Sequence, residues 1–117
     1  MTNHVTGIGG FFFRANDPKA LAKWYYEHLG INDEAHGFTW QQEAGPTVFS
    51  PFKRDSDYFD PKQPFMLNLR VQDLDGLLKK LEAAGVRIDP KRQDEGYGRF
   101  AWVYDPEGNK VELWEPK

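Results

Sequence analysis

An internal repeat constrains the fold of this chain more than any other feature, because a repeat places the same structural elements twice. Residues 9–31 read GGFFFRANDPKALAKWYYEHLGI, and residues 65–88 read FMLNLRVQDLDGLLKKLEAAGVRI. Both stretches run from an apolar segment through an Asp to an amphipathic stretch, and then to a Gly followed by an apolar residue. Each half is therefore predicted to begin with a strand and a helix.

Capping residues mark the ends of both predicted helices. Asp17 precedes Pro18, which is favoured at the first helical position because it lacks a backbone N–H, and Gly30 provides the stop. In the second half, Asp73 is the predicted N-terminal cap and Gly85 provides the stop. The apolar residues between these caps fall at helical spacing: they are Leu21, Trp24, Tyr25 and Leu29 in the first half, and Leu74, Leu77, Leu78 and Leu81 in the second.

Short extended segments broken by turn residues follow each helix. The predicted segments are roughly 31–34 (ill-defined), 38–42 and 47–52 in the first half, and 87–89, 99–104 and 110–114 in the second. Residues 105–109, DPEGN, predict a hairpin turn, and residues 53–64 a linker. We expect a single α+β domain over residues 1–117, with modules at about 5–58 and 64–117, whose helices cover one face of a mostly antiparallel sheet.

Strand alternation assigns side chains to the two faces of this sheet, since successive residues point to opposite sides. The set predicted to face the helices is Phe11, Phe13, Leu67, Leu69, Val71, Val111 and Leu113. The set predicted on the opposite face is Gly10, Phe12, Arg14, Met66, Asn68, Arg70, Glu112 and Trp114. The opposite face therefore mixes aromatic rings with polar and charged groups.

Composition narrows the functional classes. The aromatic content of 15% exceeds what a minimal core requires, so aromatic rings either line a cavity or fill an aromatic-rich core. The net charge of -3, without a basic stripe, disfavours nucleic-acid binding. The chain has no Cys, and we find no signal-like or membrane-spanning segment, so a cytoplasmic location is expected.

The pattern resembles the vicinal oxygen chelate superfamily, the glyoxalase and bleomycin-resistance relatives. The resemblance rests on ANDPKALAKWYYEHLGI, LRVQDLDGLLKKLEAAGV and GRFAWVYDPEGNKVELWEP, of which the DP-x-GN turn and its V-E-L strand are the most specific. It implies two βαβββ modules that form a curved, mostly antiparallel eight-stranded sheet around a cavity, and two chains that associate as a homodimer.

Metal enzymes of this superfamily hold a divalent ion with four residues on the concave strands. Here those positions fall on Gly10, Thr47, Met66 and Glu112, of which only Glu112 is a good ligand type. The three histidines lie elsewhere: His4 comes too early, His28 lies on the helix and His36 in a loop. We therefore expect no metal cofactor; the alternative is a divalent metal completed by a partner chain.

The expected site is a cavity floor without its metal. Its predicted lining is Phe12, Trp40, Phe49, Met66, Asn68, Arg70, Trp102, Tyr104, Glu112 and Trp114. Arg70 is a candidate partner for Glu112, which is either functional, as a ligand anchor or a general base, or a structural carboxylate satisfied by Arg or Tyr. Residues 97–99, next to glycine, are either a flap over the pocket or an ordinary exposed turn.

Three functions are consistent with these residues. The first is metal-free binding of a small aromatic molecule, favoured by the aromatic face and the lack of a nucleophile. The second, an alternative to the first, is a metal-dependent enzyme: a glyoxalase-like lyase, an epimerase or a ring-cleaving dioxygenase. The missing metal ligands disfavour it. The third is metal-free acid/base catalysis by Glu112 with Tyr97 or Arg70 assisting. Hydrolase, kinase and nicotinamide motifs are not found in the sequence.

Overall fold

The structure is a computed structural model that describes residues 3–32 and 39–117. Its elements are helix α1 at Pro18–Leu29, strand β1 at Leu67–Arg70, helix α2 at Leu74–Ala83, and strands β2 at Arg87–Glu95, β3 at Gly98–Tyr104 and β4 at Lys110–Pro116. No helix in the described part of the chain is long and apolar enough to cross a membrane.

Both helices form where the caps predict them. The Asp17 carboxylate accepts a hydrogen bond from the Ala20 amide at 3.1 Å, and the Asp73 carboxylate accepts one from the Gly76 amide at 3.0 Å. Helix α1 ends at Gly30, whose φ of 70° lies in the left-handed region that glycine adopts without strain. The predicted helix boundaries are therefore confirmed.

The sheet is mixed and open, with the strand order β1-β4-β3-β2. Strand β1 runs parallel to β4, while β3 is antiparallel to both β4 and β2. The pairing of β2 with β3 shifts register between Ile88 and Arg92, which is the mark of a bulge. This sheet, with both helices, gives the α+β architecture predicted from the sequence.

The core lies between this sheet and the helices. It is formed by one apolar cluster with members from α1, α2 and the helix side of β1, β3 and β4: Leu21, Tyr25, Leu69, Leu74, Leu78, Leu81, Ala101, Val103, Val111 and Leu113. The Phe13 ring packs edge-on against Tyr25 of α1, and the Phe11 ring packs against Phe13. The residues of the second half that were predicted to face the helices are thus found on the helix side of the sheet.

The first half departs from its predicted strands. Among the described residues, the first predicted strand (9–14) and the segments 39–42 and 47–52 contain no strand. A strand requires a neighbouring edge to complete its backbone hydrogen bonds, and within this chain the four assigned strands pair with one another. Residues 33–38, with His36 and the start of the predicted strand 38–42, lie outside the described residues.

Candidate functional site

Cross-strand register places the polar and aromatic residues of the second half on one face of the sheet. Glu112 lies opposite both Asn68 and Trp102, and this is the first row of the face. Trp114 lies opposite Arg70 and Phe100, and this is the second row. We call this surface the aromatic face; it is the side opposite the apolar cluster of the core.

Glu112 is the centre of the first row, and its side chain is nearly buried, with 7% exposed. Its carboxylate accepts three hydrogen bonds: from Trp102 Nε1 at 2.9 Å, from the Tyr58 hydroxyl at 2.5 Å and from Asn68 Nδ2 at 2.5 Å. A carboxylate has about four lone-pair positions, so most of its accepting capacity is used within the chain. In this arrangement Glu112 is a satisfied buried anion.

Arg70 does not pair with Glu112, so this candidate pairing from the sequence is wrong. Its guanidinium instead donates to the backbone carbonyl of Glu43 at 2.9 Å and to that of Pro46 at 2.5 Å. Planar guanidinium groups suit two converging acceptors, and these carbonyls converge at one bend of the first half. Arg70 therefore anchors residues 43–46 beside the edge strand β1.

Tyr58 completes the first row, although the sequence analysis placed it in the linker and did not single it out. Burial, and then the hydrogen bond to Glu112, raise the pKa of its hydroxyl well above the ordinary value. The Tyr58 ring packs edge-on against Trp102 with 6.0 Å between ring centroids, and Lys110 Nζ donates to the Tyr58 carbonyl at 2.7 Å. The signal available in the sequence was an aromatic cluster, Phe52, Tyr58 and Phe59, at a linker that is otherwise polar.

The second row is aromatic. The Trp114 indole, 9% exposed, is nearly parallel to the Phe100 ring, with 6.4 Å between centroids and 4° between planes. The Tyr97 ring lies 5.7 Å from that of Phe100. Stacked flat rings are a surface suited to a planar apolar group.

The structure does not bring every predicted lining residue to this face. Phe12 and Phe49 are almost fully exposed, at 91% and 84%, and Trp40 is also exposed. Met66 is half-buried beside the start of β1. Tyr104 lies two residues after Trp102 in β3 and therefore on the same face, but its hydroxyl donates to Asp89 of β2 at 2.7 Å, outside the Glu112 cluster.

Concave regions also open beside this face. A groove of about 740 Å³ lies between α2 and the start of β2, and a smaller pocket of about 180 Å³ is lined by Leu74 and, at the edge of the aromatic face, by Phe100. Neither is lined by a residue predicted to bind ligand. Exposed charged side chains, such as Lys79 and Glu82 of α2, surround the larger groove, and no aromatic ring lines it. The aromatic face is therefore the better candidate for binding an aromatic ligand.

The four positions that the resemblance assigns to metal ligands do not fit a divalent cation. Hydrogen-bond donors, not open space, surround the Glu112 carboxylate, and a metal would require the same lone pairs. Gly10 has no side chain, and Met66 offers a soft thioether. Within residues 3–32 and 39–117, no three His, Asp or Glu side chains are grouped so that they could hold an ion.

Comparison with known families decides the classification. The model of the Glyoxalase/Bleomycin resistance protein/Dioxygenase superfamily matches residues 2–113. The chain belongs to this superfamily. A search of curated proteins found no match.

Solved structures of the superfamily share the fold. TnmS3, an antibiotic binding protein from Streptomyces sp. CB03234, is 24% identical with a TM-score of 0.64, over 97% of this chain and 98% of that one. A glyoxylase/bleomycin resistance protein/dioxygenase domain from Frankia sp. EAN1pec is 18% identical with a TM-score of 0.64, over 97% and 100%. TioX from Micromonospora sp. ML1 is 17% identical with a TM-score of 0.54, over 88% and 93%.

Proposed function

We propose that this superfamily member binds a small aromatic organic molecule on its aromatic face without a metal, and that it does so as a homodimer. The observation that carries the proposal is the satisfied Glu112 carboxylate beside the stacked Phe100 and Trp114 rings. Flat rings attract a planar ligand through apolar contact, whereas a carboxylate whose lone pairs accept three hydrogen bonds is poorly placed to ligate an ion. The antibiotic-binding description of TnmS3, a protein of the same fold, agrees with this proposal.

A second copy of the chain is the proposed partner. Several apolar side chains of the first half are more than half exposed, and exposed apolar surface often marks an association site: they are Val5, Ile8, Phe12, Val48 and Phe49. Three of them, Phe12, Val48 and Phe49, lie in segments that were predicted as strands and pair with no strand here, while β1 and β2 are the edges of the four-stranded sheet. Association of two copies would supply both the edges and the apolar cover.

The test of ligand binding uses the indole N–H signals of the four tryptophans in a ¹⁵N-labelled sample titrated with indane, a bicyclic hydrocarbon. We expect saturable shifts of the Trp102 and Trp114 signals, since both lie on the aromatic face. The Trp24 signal is the control, because Trp24 lies on α1 and packs against the core. Shifts of all signals alike, or of none, would contradict the proposal.

The metal-free state is tested on protein purified without a chelator or a histidine tag. We expect no stoichiometric metal, and no change in melting temperature with Zn²⁺, Mn²⁺, Ni²⁺ or Fe²⁺. A stoichiometric metal that is lost in Glu112→Ala would instead support a glyoxalase-like lyase or a dioxygenase.

The dimer is tested by light scattering coupled to size exclusion. We expect a dimeric mass for the wild-type protein and a monomeric mass for Phe12→Glu, because Phe12 is 91% exposed in the single chain. Tyr26→Ser, on the outer side of α1, is the control that should stay dimeric. A monomeric wild-type protein would overturn this part of the proposal.

A further inference from the structure

One buried donor on the aromatic face has no acceptor. Among the described residues, Trp114 Nε1 is the buried side-chain polar atom without a hydrogen-bond partner. The other indole of the face behaves differently, since Trp102 Nε1 donates to Glu112 at 2.9 Å. Buried N–H groups are nearly always paired because leaving one unpaired costs free energy, so an orphaned donor beside a ligand-binding face requires an explanation.

The turn between β2 and β3 lies directly against this donor. A Cβ atom built on Gly98 would fall 2.2 Å from Trp114 Nε1 and 2.7 Å from its Cδ1. Position 98 therefore admits only glycine while the indole keeps its place. The indole N–H is closed off by the backbone of the turn, not by a side chain that could accept its hydrogen bond.

The tip of the turn, Gly96 and Tyr97, has few attachments. Gly96 has no atom within 4 Å of the position its Cβ would occupy, and Tyr97 is largely exposed. The Tyr97 carbonyl accepts one long hydrogen bond, 3.4 Å, from the backbone amide of Lys117. Gly98 itself is buried and pairs with Glu95 and Pro116 at the first position of β3, so access to the indole N–H requires this strand end to open together with the exposed turn.

We propose that Trp114 Nε1 donates a hydrogen bond to a neutral carbonyl oxygen on the planar ligand, which reaches it when residues 96–98 move away from the indole. This deepens the proposed function and rests on it. Phe100, whose ring is stacked with the indole, provides the apolar contact for the ring that bears the carbonyl.

The donor offered to the ligand is neutral. The indole N–H donates and does not accept, so it requires an acceptor on the ligand. Arg70, the cation opposite Trp114 in register, already holds the carbonyls of Glu43 and Pro46. Arg99, in the neighbouring strand, pairs with Asp75 and Glu115. A carbonyl therefore suits this position better than a carboxylate.

The experiment compares 1-indanone with indane, which share a bicyclic ring system and differ in one carbonyl oxygen. In the wild-type protein, we expect 1-indanone to bind about fivefold more tightly, the value of one ordinary hydrogen bond, and to move the Trp114 indole proton downfield. Indane should bind without that downfield shift. Trp114→Phe keeps a ring and removes the N–H, so it should abolish the preference, while Trp24→Phe should retain it.

The outcomes separate the two proposals. If both compounds bind the aromatic face equally and neither moves the Trp114 proton downfield, the donor role is wrong and the binding function stands. If neither compound binds, the binding function fails, and the donor role falls with it. The proton shift is read in the wild-type protein, so it decides the matter even if Trp114→Phe does not fold.

Discussion

The hydroxyl of Tyr25 on α1 donates a hydrogen bond to the buried carboxylate of Asp105 in the β3–β4 turn, across 2.7 Å. The same carboxylate accepts from the backbone amides of Glu107 and Asn109 at 2.9 and 3.0 Å, and from the Asn109 side chain at 2.8 Å. The DP-x-GN turn therefore does more than reverse the chain. It attaches the helix of the first half to the sheet of the second.

Removing the Tyr25 hydroxyl tests this attachment. We expect Tyr25→Phe to lower the free energy of unfolding by about 2 kcal/mol, because the lost bond is to a charged, buried group. Chemical denaturation monitored by circular dichroism measures the change. Tyr26→Phe is the matched control, since Tyr26 is the next residue and is 41% exposed. Equal losses in the two variants would show that the Tyr25–Asp105 bond does not stabilise the fold.

Glu107 forms a second link between the same turn and α1. Its two carboxylate oxygens accept from the backbone amides of Asn16 at 2.6 Å and Asp17 at 3.0 Å, just before the helix begins. We expect Glu107→Ala to speed amide exchange at these two residues and to cost about 1 kcal/mol. Glu107→Gln keeps one acceptor and should have roughly half the effect. Unchanged exchange in Glu107→Ala would contradict the role, with Glu82→Ala on α2 as the control.

Alkaline pH should destabilise the protein through its buried tyrosines. Burial, and then hydrogen bonds to Asp105 and Glu112, raise the pKa of Tyr25 and Tyr58 above the ordinary value. The unfolded chain then releases these protons first, at about pH 10, so stability is present below that pH and falls as the pH rises above it.

Urea denaturation at pH 8.5 and at pH 11 measures this loss. Tyr25→Phe and Tyr58→Phe should each be less stable than the wild type at pH 8.5 and lose less between the two pH values. A stability that does not change from pH 8.5 to pH 11 would contradict the raised pKa of both hydroxyls.

The sequence predicted the parts of the fold that depend on local chemistry. Asp17 and Asp73 cap the helices as expected, because a cap is formed by neighbours in the chain. Alternation along β1 and β4 placed Asn68 and Glu112 on the same face for the same reason. The pairing of β3 with β4 follows from the short turn at 105–109, which holds these two strands together.

The errors concern contacts between distant segments. Among the described residues, the predicted strands of the first half pair with no other strand, and alternation of side chains cannot reveal whether two distant segments pair. The sequence suggested that Arg70 pairs with Glu112 because the two share a face. In the structure, Glu112 instead accepts a hydrogen bond from Tyr58, which lies 54 residues away in the chain. No local pattern relates these two residues, so only folding brings the pair together.

Glu112 provides the sharpest test of the site, because two substitutions there should behave differently. Glu112→Ala leaves three donors, from Tyr58, Asn68 and Trp102, without their acceptor, and Trp102 is almost fully buried. We expect a loss of about 3 kcal/mol, the cost of unpaired buried polar groups together with the missing side chain. Chemical denaturation measures the loss.

Glu112→Gln should lower the free energy of unfolding by less than about 1 kcal/mol, because it alters only one hydrogen bond. The amide oxygen of glutamine can keep the bonds from Tyr58 and Trp102, and its new NH₂ group faces Asn68, whose side chain can rotate to present its own oxygen. The Trp102 indole proton should therefore keep its chemical shift in Glu112→Gln and move upfield in Glu112→Ala. If Glu112→Gln is as unstable as Glu112→Ala, the negative charge, not the set of hydrogen bonds, holds this row together, and the description of Glu112 as a satisfied structural carboxylate is wrong.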